Sequence, residues 1–233
     1  MKNYSYIGIS FIILVFGIIF VPKIIDRIQS GTTLESDRLN RGSNAELAFI
    51  SLNGESKKVP EFVLTNQDNL LISSEDFLGK VFVVEFFFTR CPSICPIMNK
   101  NMKLLENQFG DREDFGIASI TIDPENDTPM TLKEYAEIYE VFSPNWHFLT
   151  GEQSYIYELA NSGFNIFAEI NPAVAGGFEH QGYFALVDQN GYLRSRRDDY
   201  GNPIVYYLGI DNQESEIQDI EFLKQDIENL LNE

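Results

Sequence analysis

The chain has 233 residues, enough for one soluble domain with appendages. Its composition is globular, 44% hydrophobic and 13% aromatic. With 17 basic against 35 acidic residues the formal net charge is −18, which excludes nucleic acid as a natural partner because its phosphates are repelled by such a surface.

Tyr6 to Val21 carries no charge, and the apolar character continues past Pro22 and Lys23 to Ile24 and Ile25. That is close to the ~17–25 residues a spanning helix needs, so residues 1–28 are expected to form an N-terminal transmembrane anchor. No small-x-small cleavage site follows, which argues against a removed signal peptide. Lys2 on one side and Lys23 and Arg27 on the other leave the orientation open. Residues 29–58, rich in Ser, Gly, Asn and Thr with one apolar patch at Leu47–Ile50, read as a linker. The folded domain is expected over 59–233.

From Phe62 the pattern alternates. Phe62–Leu64 reads as a short strand and Ser73–Gly79 as a capped helical turn. The run Val81–Phe88 is a buried strand interrupted by one charged residue, Glu85. Ile97, Met98, Met102, Leu105 and Phe109 keep helical spacing over Pro96–Phe109. Phe115–Ile122 is a second core strand. Thr128 then caps a helix with Pro129 at its first position. A third strand, Trp146–Leu149, precedes a helix over Glu152–Ala160. Tyr183–Val187 and Tyr192–Arg196 form a hairpin whose Asn190-Gly191 is a turn signal. Glu214–Leu231 is a final amphipathic helix. This order predicts an α/β domain, a mixed sheet with helices on both faces, and chemistry beyond the C-terminal ends of its strands.

The only two cysteines stand there, in Thr89-Arg90-Cys91-Pro92-Ser93-Ile94-Cys95-Pro96. Pro96 places Cys95 at a helix mouth, where the positive end of the helix dipole favours thiolate at both sulfurs. The spacing allows a redox-active disulfide, since residues four apart in a helix have Cα atoms about 6.2 Å apart. Two close thiolates also suit a soft metal such as Cu(I). Zinc is not indicated, because a structural zinc site takes four ligands, usually in paired knuckles. His180, in a loop behind Gly176-Gly177, is the natural third ligand. His147 lies mid-strand between aromatics and reads as structural. Met98 and Met102 read as a core stripe rather than thioether ligands. Asp123 divides between orienting groups near the thiols and a turn role, and Asp127, Thr128 and Pro129 read as turn and helix cap.

Together the thiol motif, Thr121-Ile122-Asp123-Pro124-Glu125-Asn126-Asp127-Thr128-Pro129, Trp146–Gly151 and His180 ahead of Tyr183–Gly191 resemble the Sco/SenC family of copper chaperones. The resemblance implies a thioredoxin-like domain holding copper on Cys91, Cys95 and His180. It implies an anchor in the inner membrane, single-pass, with the domain on the periplasmic side. The expected partner is the CuA site of cytochrome c oxidase subunit II, to which copper is delivered or whose thiols are kept reduced, with other periplasmic copper or thiol-redox proteins as further partners. Ser93 stands where the family often has Asp, and Glu179-His180 where Asp-His is common. The stretch Arg194–Gly209 is longer than usual, and its basic start reads as a docking surface. Two other readings compete. One is a membrane-tethered thiol–disulfide reductase, with Cys91 attacking and Cys95 resolving. The other is a peroxidase, which the local pattern does not support.

Overall fold

The computed structural model describes residues 46–233 apart from 53, 199 and 212–217, together with 10, 14–18 and 20–22. The chain divides into two units, Met1–Arg41 and Gly42–Glu233. In the first, the described residues are helical, and among the described residues no helix is long and apolar enough to cross a membrane. Most of the anchor expected over 1–28, and residues 29–45 of the expected linker, lie outside the described residues.

The second unit carries, in chain order, β1 (Ala48–Phe49), β2 (Ser51–Leu52), β3 (Glu55–Ser56), β4 (Val63–Asn66), β5 (Leu71–Ser73) and β6 (Val81–Phe87). There follow α1 (Cys95–Phe109), β7 (Phe115–Thr121), α2 (Pro129–Ile138), β8 (Trp146–Thr150) and α3 (Gln153–Glu158). The chain closes with β9 (Ala168–Ile170), β10 (Phe178–His180), β11 (Tyr183–Val187), β12 (Leu193–Ser195), β13 (Tyr207–Leu208) and α4 (Asp219–Leu231). The main sheet runs β1-β12-β11-β6-β7-β8-β4-β5, with β13 also paired to β11. β6, β7 and β8 are parallel, and every other pairing in it is antiparallel. β6 and β7 are buried at every position, as strands covered on both faces must be. This is the mixed α/β arrangement that the alternating pattern predicts, and the thioredoxin-like domain that the resemblance implies. Residues 214–217 of the expected last helix lie outside the described residues.

Two expectations are corrected. The domain begins before residue 59: β1 pairs with β12, and Leu47, Ala48 and Ile50 are buried in the core. Arg194 anchors this segment, donating to the Leu47 carbonyl at 3.0 Å and lying 4.1 Å above the Phe49 ring. The apolar patch in the supposed linker is therefore an edge strand. The basic start of the 194–209 stretch is largely spent inside the domain: of its three arginines only Arg197 is exposed, and it donates to the Gly201 carbonyl at 2.9 Å. Arg194 is buried and pairs with Asp188 at 3.0 Å, while Arg196 grips Asp226 of α4 at 2.7 Å. Both guanidiniums are spent on holding the domain's own termini.

Candidate metal centre

β6 ends at Phe87 and the chain turns sharply, Cys91 N–H donating to the Phe88 carbonyl at 3.2 Å. α1 starts at Cys95 with Pro96 in its first turn. Proline fits there because it has no N–H to waste and its fixed φ suits the helix. The turn into the thiols is fixed from below by Asp127. Its fully buried carboxylate accepts the Thr89 N–H at 3.0 Å and the hydroxyls of Thr89 and Thr121. Thr128 is the cap of α2, as expected, but Asp127 turns inward and ties two strand ends together. Burial raises the Asp127 carboxyl from its ordinary value, and the threonine hydrogen bonds pull against that shift.

The two sulfurs differ. Cys91 is 7% exposed and Cys95 is wholly buried. Cys91 Sγ accepts the Cys95 N–H at 3.4 Å and lies 3.6 Å from Ser93 Oγ. The Cys95 thiol, His180 and the backbone N–H groups of Cys95 and Ser93 hold the Cys91 thiol well below its ordinary range, against the opposing effect of burial. Cys95 moves the other way, pushed up by burial and by the neighbouring Cys91 sulfur. The helix-mouth argument, which favours both thiolates, therefore holds only for Cys91. Desolvation outweighs the dipole at Cys95.

His180 reaches the thiols from the far side of the chain. It ends β10, which pairs only with β9 in a two-stranded ribbon apart from the main sheet. Its Nδ1–H donates to the Gln181 carbonyl at 3.2 Å, which leaves Nε2 as the acceptor facing Cys95 Sγ at 3.3 Å. The donor atoms of Cys91, Cys95 and His180 all lie within 4.8 Å of one another. Bonds of roughly 2.0–2.3 Å to one ion place trigonal donors about 4 Å apart, so this set fits a soft ion with little movement.

The other candidates fall outside this cluster. The Asp123 carboxylate is buried, accepts from Arg90 at 2.6 Å and Asn126 at 2.7 Å, and so acts on the thiol loop only through the residue before Cys91. His147 meets Asn66 and the edge of Phe77, and burial lowers its pKa. Met98 and Met102 are buried in the core. Glu85 is the one charged residue of an apolar run. It is fully buried in β6, takes one hydrogen bond from Ser119 Oγ at 2.7 Å, and leaves its second oxygen without a partner. Trp146 Nε1–H donates in turn to Ser119 at 3.0 Å. Burial pushes the Glu85 carboxyl up to about 7.

A thioredoxin-like sheet with a thiol pair at a helix mouth and an imidazole folded over it defines a class: thioredoxin-type proteins whose thiols have a third, nitrogen donor. The SCO1/SenC family model matches residues 51–211, and the chain belongs to that family. It is 36% identical over 162 residues to the SCO1 protein homolog of Bacillus subtilis, covering 65% of this chain and 83% of that one. Among solved structures it superposes on BsSco, described as a member of the Sco family of cytochrome c oxidase assembly proteins. The TM-score is 0.60 at 31% identity, over 76% of this chain and 94% of the other. Yeast Sco1 solved with copper bound matches at a TM-score of 0.50 and 26% identity, over 62% of this chain and 83% of the other.

Proposed function

We propose that this protein is a membrane-anchored copper chaperone of cytochrome c oxidase assembly, and that Cys91, Cys95 and His180 carry Cu(I) as cargo. The observation that supports this most directly is the convergence of two sulfurs and an imidazole nitrogen within 4.8 Å, from elements 85 positions apart in the chain. Cys91 is ready to bind as a thiolate, while Cys95 gives up a proton on loading. His180 closes the set and, being on a separate ribbon, can withdraw to let a recipient's ligands in. The proposed recipient is the CuA site of oxidase subunit II. The uncharged run from Tyr6 to Val21 supports an anchor over 1–28, and residues 29–45 a tether. The domain is placed on the periplasmic side of the inner membrane.

The test is Cu(I) retention by the reduced 29–233 fragment against a competing chelator, compared with His180→Ala. One equivalent held by the parent and much weakened in the variant supports the carrier reading. No retention by either, with both reducing a disulfide substrate, sinks it.

The asymmetry of the thiols favours a second reading, a tethered disulfide reductase. Cys91 thiolate attacks a substrate disulfide and releases one substrate thiolate. Cys95 then attacks the mixed disulfide and releases the other, leaving Cys91–Cys95 oxidised and the substrate reduced.

A further inference from the structure

One residue touches all three proposed copper ligands without being one. Phe88 is 1% exposed and stands between the end of β6 and the thiol loop. Its carbonyl accepts the Cys91 N–H at 3.2 Å, and its backbone pulls the Cys95 thiol down against the burial that raises it. Its ring lies 5.1 Å from that of Phe178 and 5.9 Å from that of His180, the latter edge-on at 77°. The geometry of a strand explains the double contact. Side chains two apart on β10 point the same way, so Phe178 and His180 grip one object while Glu179 faces solvent.

The turn of the ribbon is fitted to the same ring. Gly176 has φ +91°, and a Cβ there would stand 2.9 Å from Phe88 Cζ and 3.1 Å from Pro92 Cδ. The turn is internally tied, Asn171 N–H donating to the Gly177 carbonyl at 2.9 Å and the Asn171 amide to Glu179 at 2.9 Å. The ribbon is therefore tied to itself as a piece, and Phe88 is where its turn and its His180 strand both rest.

We propose that Phe88 is a positioning residue for copper: its backbone sets the two sulfurs, and its ring is the seat on which the His180 ribbon closes. Gly176 is the clearance that lets the ribbon reach that seat. Release of copper then begins with the ribbon lifting off the ring. This rests on the carrier reading above.

The experiment uses the full chain, reduced, in detergent, with Cu(I) affinity read by competition with a chromophoric Cu(I) chelator. Phe88→Leu keeps an apolar side chain without the ring, and Gly176→Ala crowds the seat from the ribbon side. Each is expected to weaken Cu(I) binding by about tenfold to a hundredfold, the usual effect of removing a group that orients a metal ligand. Combined with His180→Ala, neither should weaken binding beyond His180→Ala alone, because the seat acts through His180. Wild-type affinity in both single variants, or losses that add to that of His180→Ala, overturns the proposal. Should Phe88→Leu fail to fold, Gly176→Ala carries the same comparison. A metal-free arm keeps the two ideas apart. The His180 ring protons should be shifted by the Phe88 ring current in the apo protein and lose that shift in Phe88→Leu. Unchanged shifts overturn the seat. No Cu(I) retention by the wild type overturns the carrier reading, and the metal-free arm still decides the seat.

Discussion

Asp127 accepts the Thr89 N–H at 3.0 Å, and through that bond the loop after β7 holds the loop after β6. The two strand ends are parallel neighbours, Phe87 opposite Thr121, so a carboxylate six residues past Thr121 falls naturally beneath Thr89. The thiols inherit their position from this tie.

Replacing Asp127 with Ala should therefore leave three donors without their acceptor. A buried donor left unsatisfied costs about 1–3 kcal/mol. We expect a fall in the urea midpoint, with Asp127→Asn intermediate because it keeps one acceptor oxygen. A midpoint unchanged in Asp127→Ala would mean that the threonines find water instead.

The two cysteines should be separable by alkylation. Cys91 is a thiolate well below neutral pH and Cys95 is not. Iodoacetamide should label Cys95→Ser, whose hydroxyl offers a donor to Cys91 Sγ in place of the thiol while His180 and the backbone N–H groups remain, at a rate that is flat from about pH 5.5 to pH 8, where an ordinary thiol gains reactivity with every unit. Cys91→Ser should stay unlabelled over that range. Equal labelling of both variants, read by mass spectrometry, would remove the asymmetry on which the attacking role of Cys91 rests.

Glu85 should make the protein less stable as pH rises. Its carboxyl titrates near 7 in the fold, against an ordinary value of 4.5. Between those limits the folded state holds a proton that the unfolded chain has lost. Stability is then full below about pH 4.5, falls as pH rises through about 7 and levels off above it, a loss on the order of 3 kcal/mol. Glu85→Gln keeps the Ser119 hydrogen bond and should flatten this part of the curve. A chemical denaturation series from pH 4 to 8 that looks the same for both proteins would show that Glu85 is hydrated and ordinary.

A fragment beginning at residue 59 should be markedly weaker than one beginning at 42. It lacks β1, and with it the burial of Leu47 and Ile50 and the Leu47 carbonyl that Arg194 needs. Two fully buried aliphatic side chains are worth about 3–6 kcal/mol together. Matched thermal melts of the two fragments check this, and equal midpoints would return residues 46–58 to the status of a linker.

The sequence made some of this visible and concealed the rest for physical reasons. Strands buried on both faces, such as Val81–Phe88 and Phe115–Ile122, stand out as apolar runs, and the cysteines between them mark the site. His180 is legible only through resemblance, because the ribbon that carries it is three residues a side and half of those residues are exposed. Such a short, half-wet pairing leaves no periodicity. Asp127 was hidden by its neighbours: an Asp-Thr-Pro run reads as a cap, and only the parallel register of β6 and β7 turns that aspartate toward Thr89. The edge strand β1 was masked by the polar residues around it. Glu85 is in plain view: a lone charge in a run buried on both faces marks a carboxyl held away from water.

The β9–β10 ribbon pairs with no strand of the main sheet and meets the rest of the domain through side chains, at Phe88 and at Asn161. It is thus a cassette. Its exposed positions, such as Glu169, Ala173 and Ala175, can be rewritten without touching the ladder of the main sheet, whereas Ala168, Gly176, Phe178 and His180 bear on the core or on Phe88. Exchange of the exposed ribbon positions, with Phe178, His180, Phe88 and the thiols left in place, gives variants that share a body and differ in the surface they present beside the thiols.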